Sequence, residues 1–152
     1  MPDFESYREI MPLVFAWLLD VEANVLKHGR ALTDLEQQDA YSVGVSAPEK
    51  IRLLSVPRIT QPDNPQLLHA GRETGLLLDN TAARAIRYGI EVVDGESSRA
   101  LLRHEFRHVQ QFEQADSFEE FIVDYIKAVF DAGYYESFYE RDARAHEQVD
   151  SQ

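Results

Sequence analysis

Cysteine is absent from this chain of 152 residues. That excludes disulfides and thiolate metal sites, so any metal must be held by nitrogen and oxygen. Basic residues are scarce beside acidic ones: 15 Lys and Arg against 27 Asp and Glu, a formal net charge of −12. Binding to a phosphate backbone needs a basic face, so charge argues against a nucleic-acid partner. The acidity suits a cationic peptide or protein, and it also serves solubility. Long apolar runs are missing too. The longest cluster, residues 13 to 19, is too short to cross a membrane and lies in an amphipathic pattern. Asp3, Glu5 and Glu9 give the N-terminus the wrong sign for a signal peptide, so a cytoplasmic protein is expected. There is no internal repeat and no low-complexity segment. With 44% apolar residues the chain reads as one folded domain, residues 1 to 152.

Histidine is sparse as well, at five residues, yet two of them share one motif. Residues 98 to 112 read Ser-Arg-Ala-Leu-Leu-Arg-His-Glu-Phe-Arg-His-Val-Gln-Gln-Phe and contain His-Glu-x-x-His. On a helix, residues four apart share a face, so His104 and His108 point at one metal ion. Glu105 lies within reach of a water beside that ion, in the position of a general base. The local sequence predicts the helix. Asp94 and Gly95 end what precedes it, Ser97 or Ser98 caps it, and Glu96 adds negative charge near its N-terminus. Leu102, Phe106 and Val109 form an apolar stripe beside the histidine face. Arg107 is expected to point away from the metal and be solvated. The bland alternative is a helix with two incidental histidines.

Taken in order, residues 3 to 28 read as helix, with Pro12 either starting the main helix or kinking it. Lys27, His28 and Gly29 form an ordinary helix stop, which accounts for His28 without a metal. Thr33 to Glu36 is a capping box that opens a short helix ending near Gly44. Residues 48 to 50 are loop or turn, and residues 51 to 56 are a strand. Residues 57 to 75, rich in proline and glycine, read as loop with one helical turn near Leu67 and Leu68, and His69 lies there on the surface. Residues 74 to 78 are a second strand or the start of a short helix running through residues 81 to 84. Residues 88 to 93 are a strand that leads into the motif helix, with a free edge that could pair with an extended peptide or simply be a sheet edge. Ser117 opens a further helix whose aromatic stripe is core, ended by Gly133; Ser137 opens a last helix reaching about residue 149.

Catalytic zinc takes three protein ligands and keeps one position open. The metzincin continuation of the motif would need Gly and His where this chain has Gln111 and Gln114, so that class is excluded. A carboxylate from a later helix is the other usual answer, and Glu136, Glu140, Asp142 and Glu147 are candidates, with His146 further off.

At Tyr139-Glu-Arg-Asp-Ala143 the chain resembles the gluzincin branch of zinc-dependent metallopeptidases, in which a Glu on a second helix completes the site. Glu140 matches that ligand and Ala143 matches the Glu-x-x-Ala-Asp pattern, whereas Arg144 stands where many members have Asp. A contact to a ligand histidine would then come from elsewhere, Asp142 or Asp20. Residues 75 to 147 also resemble small bacterial metallopeptidase domains that stand alone or accompany toxin and secretion modules. The resemblance implies an α+β, mostly helical, zincin-like fold: an active-site helix, a supporting helix with the third ligand, and a small sheet whose edge strand borders the cleft. It implies one Zn²⁺ per chain on His104, His108 and Glu140, with Glu105 as catalytic base and a peptide or protein as substrate. Glu140 has a rival reading, since Ser137-Phe-Tyr-Glu140 is also a capping box.

The implied reaction is hydrolysis of a peptide bond, with Tyr134, Tyr135 or Tyr139 as donor to the oxyanion. The alternative is an inactive zincin-fold protein that binds metal and serves as a binding or regulatory module. A helical interaction module without metal is a further rival. Residues 57 to 75 could also cover the cleft and hold a protease inactive.

Overall fold

A computed structural model describes residues 4 to 74 and 81 to 149. The chain enters through a 3₁₀ helix, Phe4–Ile10, and continues as α1, Met11–His28. Pro12 sits in the first turn of α1, where its missing N–H leaves no helical bond unmade. Strand β1, Arg30–Ala31, leads to α2, Asp34–Ser42. The Thr33 capping box is present in full: the Glu36 N–H donates to Thr33 Oγ1 at 3.2 Å and the Thr33 N–H to Glu36 Oε1 at 2.8 Å. Gly44 follows at φ 105°, a left-handed conformation that favours glycine. A 3₁₀ turn, Pro48–Lys50, then precedes strand β2, Arg52–Val56.

The stretch expected as loop with one helical turn contains a full helix, α3, Pro65–Thr74. Its start is locally encoded. Asn64 Oδ1 accepts from the N–H groups of Gln66 and Leu67 at 2.8 and 3.2 Å, and Pro65 occupies the first turn. The strand or helix expected from residue 74 lies largely outside the described residues. Its continuation is not the short helix considered for residues 81 to 84. It is a strand, β3, Ala83–Ile86, which turns back into β4, Gly89–Val93.

The sheet order is β1-β2-β4-β3, with β2 and β4 parallel and the other pairs antiparallel. The strand before the motif helix, expected to have a free edge, is therefore interior. The edge belongs to β3, which among the described residues pairs only with β4. One sheet face packs on α1. There Arg84 of β3 pairs with Glu91 of β4 at 2.9 Å and lies over the Trp17 ring. The other face supplies Leu53, Ala83, Ile90 and Val92 to a core shared with α4, Arg99–Gln114. As the apolar stripe requires, Leu102, Phe106 and Val109 are the α4 residues buried there.

Ser117 and Ser137 cap α5, Phe118–Ala132, and α6, Phe138–Ala145, by accepting from the N–H groups of Glu120 and Glu140. Gly133, at φ 85°, ends α5 as expected. The last helix stops four residues short of the expected end, so residues 146 to 149 leave its axis. A second core of Phe4, Met11, Phe121, Ile122 and Ile126 joins α5 to the N-terminal helices. The architecture is α+β, mostly helical, with a small sheet. Among the described residues no helix is long and apolar enough to cross a membrane.

Candidate metal centre

Ser98 starts α4 by accepting from the Leu101 N–H at 3.1 Å. One and a half turns later His104 faces the same side as His108, with ring centroids 4.9 Å apart. Helix α6 crosses opposite and aims Glu140 between them. Its Oε1 lies 3.1 Å from Nε2 of His104, and its Oε2 lies 3.1 Å from Nε2 of His108. Ligand atoms of the three residues lie within 4.8 Å of one another, and this is the one such cluster among the described residues.

The two readings of Glu140 separate cleanly. Its N–H donates to Ser137 Oγ at 3.4 Å, so Ser137 caps the helix. Its carboxylate is turned to the histidines, and the Ser137 N–H donates to Tyr134 O instead. Tyr125, on the aromatic stripe of α5, donates its hydroxyl to Glu140 Oε2 at 2.6 Å.

Both imidazoles have a partner on Nδ1. Glu147 Oε2 lies 2.8 Å from Nδ1 of His104, and Gln111 Oε1 lies 2.8 Å from Nδ1 of His108. Gln111 in turn donates its amide to Tyr139 O at 3.0 Å and to Asp142 at 2.9 Å. Neither Asp142 nor the exposed Asp20 touches a histidine of the cluster; Asp142 acts through Gln111 and pairs with Arg107 at 2.8 Å. Arg107 is correspondingly not solvated. It also donates to Val43 O at 2.7 Å and ties α2 to α6 across α4. Of the other ligand candidates, Glu136 is exposed, and His146 turns its Nδ1 to Asp142 O at 2.7 Å. His28 is exposed, and His69 is an exposed partner of Glu73.

Burial works against charge on every group here, and pairing decides the outcome. Glu140 is buried, which favours its neutral form, but the hydrogen bonds from His104 and His108 prevail and hold it well below the usual carboxylate range. Burial likewise opposes the imidazolium of His108, and Glu140 and Glu105 outweigh it, raising His108 to about 9. His104 is raised in the same way. Glu105 is 4% exposed. Burial pushes its carboxyl up, against the pull of the two histidines and the Ala85 backbone.

The donor chemistry fits a divalent cation. Two imidazoles with Nδ1 engaged present Nε2, and one carboxylate completes a compact N/O set of three donors beside the cavity. That cavity, of about 570 Å³, runs from the cluster along the edge strand β3, between α1, α3, α4 and α5. Its walls are largely apolar, with Met11, Val14, Leu18, Ile122 and Ile126 among them, and Glu105 lines the polar end. Of the tyrosines considered as donors, Tyr134 and Tyr135 line the cavity. Burial and the nearby Glu140 raise the Tyr134 phenol. Tyr135 lies under the Arg144 guanidinium, and Tyr139 packs among Phe121, Tyr125 and Phe138. Compared with family models, curated proteins and solved structures, the chain matches none.

Proposed function

We propose that this chain is a zinc-dependent hydrolase of peptide bonds with a zincin-like arrangement. The observation that carries the reading is Glu140, buried and bridging the Nε2 atoms of His104 and His108 from a separate helix. His104, His108 and Glu140 would hold the ion. Zinc, when bound, supplies the Lewis acidity that activates water and polarises a carbonyl near neutral pH.

The remaining chemistry belongs to the chain. Glu105, next to His104 and at the cavity's polar end, accepts the proton of the attacking water and hands it to the leaving amine. Its burial favours this role, because a raised carboxyl is a stronger base. Tyr134 donates to the oxygen that gains charge. Tyr125 holds Glu140 in place through its 2.6 Å hydrogen bond. A peptide substrate runs along β3, the edge strand of the sheet, and pairs with it as an added strand. The apolar walls take its side chains and exclude water.

The test is cleavage of a mixture of unstructured peptides by the zinc-loaded protein beside Glu105→Gln. Cleavage by the wild type alone supports the reading. Metal binding without cleavage by either protein would reduce it to a metal-binding module without turnover.

A further inference from the structure

Arginines recur one turn apart along α4, beside the histidine face. Arg99 and Arg103 reach Asp39 of α2, and Arg107 reaches Asp142 of α6. The middle one differs from its neighbours. Arg103 is 5% exposed and spreads its guanidinium over four acceptors on two segments. Nη1 donates to Asp39 Oδ1 at 3.1 Å and to Ser42 Oγ at 2.8 Å. Nε donates to the His146 carbonyl at 3.0 Å and Nη2 to the Gln148 carbonyl at 3.3 Å. Those two carbonyls flank Glu147, the residue whose carboxylate meets Nδ1 of His104.

We propose that Arg103 is a positioning residue of the metal centre: it fixes the backbone on both sides of Glu147 and so holds that carboxylate on His104. This rests on the reading that His104, His108 and Glu140 bind a metal. The segment carrying Glu147 lies beyond α6, with no helix of its own to orient it. A carboxylate there, with its side chain 32% exposed, would otherwise sample water and several rotamers. Arg103 removes that freedom from behind, using the rigid fork that an arginine presents and a lysine does not. Asp39 and Ser42 in turn fix the guanidinium, and Asp39 balances its buried charge. The consequence for His104 is chemical. With Glu147 in place its Nδ1 keeps the proton, and Nε2 offers a lone pair of raised basicity to the metal.

The test compares zinc affinity, by chelator competition, and the visible spectrum of the cobalt-substituted protein. The variants are Glu147→Gln, Arg103→Lys, Ser42→Ala and each of the latter two combined with Glu147→Gln. Glu147→Gln and Arg103→Lys should each weaken zinc by roughly 10- to 100-fold, the usual cost of losing an outer partner of a metal histidine. Ser42→Ala, which frees only one anchor of the guanidinium, should cost less. Each double variant should bind no more weakly than the weaker of its two singles. The long-range ¹H–¹⁵N spectrum of the metal-free protein should show the His104 Nδ1–H pattern lost in Arg103→Lys as in Glu147→Gln. Additive losses in the double variants would overturn the proposal, as would wild-type affinity in Glu147→Gln. If Arg103→Lys does not fold, Ser42→Ala and its double decide by the same criterion. A wild type that binds no zinc would overturn the underlying reading as well, whereas zinc bound equally by wild type and Glu147→Gln overturns this inference alone.

Discussion

Gln111 sits one turn beyond His108 on α4, and its Oε1 lies 2.8 Å from the histidine's Nδ1. The orientation of that amide is fixed, because its Nε2 is committed as donor to Tyr139 O and Asp142. Oε1 therefore faces Nδ1 and accepts its proton, so Nε2 is the nitrogen left free for a metal once His108 gives up its second proton. The glutamine that rules out a metzincin pattern has a structural task of its own.

Gln111→Leu keeps the side-chain volume and removes the acceptor. It should weaken zinc binding by roughly 10- to 100-fold, measured by chelator competition. An unchanged affinity would show that the tautomer of His108 is set without Gln111.

Glu105→Gln separates binding from turnover. The variant should carry as much zinc as the wild type, since Glu105 is not among the clustered ligand residues. Its kcat on a cleaved peptide should fall by about 10²- to 10⁴-fold, the range for loss of a general base. A comparable kcat would remove Glu105 from the reaction.

The metal-free protein should lose stability on the alkaline side. In the folded state His108 is raised to about 9 by its contacts with Glu140, above its ordinary value of 6.5. Its contribution is fully present below 6.5 and is lost as the pH rises through about 9. Thermal melts of the metal-free chain should fall between these limits, and His108→Gln should flatten the trend. Zinc binding near pH 7 should correspondingly release protons, read by calorimetry in buffers of different ionisation enthalpy.

Phe106 is fully buried between α4 and the sheet, on the side of the helix that fixes the histidine face. Phe106→Ala should cost about 3–5 kcal/mol of folding stability, seen as a lower midpoint in urea. A loss below about 1 kcal/mol would mean that α4 is not anchored by this core.

The histidine face of α4 was the most legible part of the chain because its information is local. The spacing of His104 and His108, the Ser98 cap and the stripe of Leu102, Phe106 and Val109 all sit within a few turns. Thr33 and Gly133 marked their helix ends for the same reason. The helix at residues 65 to 74 was obscured by its glycine and nearby prolines, although Asn64-Pro65 is itself a start signal. Strand β3 was hidden because Ala-Arg-Ala-Ile has little β-preference; its place comes from pairing with β4. That pairing, with the parallel contact of β2, also makes β4 interior, which no local pattern reveals. The partners of the histidines were illegible for a stronger reason. Glu147 reaches His104 from a non-helical segment tied down by Arg103, 43 residues away from His146 in sequence. Arg107 read as solvated because a helix position alone does not announce Asp142 and the Val43 carbonyl.

The most direct test of the account is the metal content of untagged protein purified without added metal, beside His108→Ala and Glu140→Ala. About one zinc per chain is expected in the wild type, as a three-ligand catalytic site takes, and loss of it in both variants. No metal in the wild type, and none taken up from added zinc, would contradict it; zinc retained by Glu140→Ala would contradict the assignment of the third ligand.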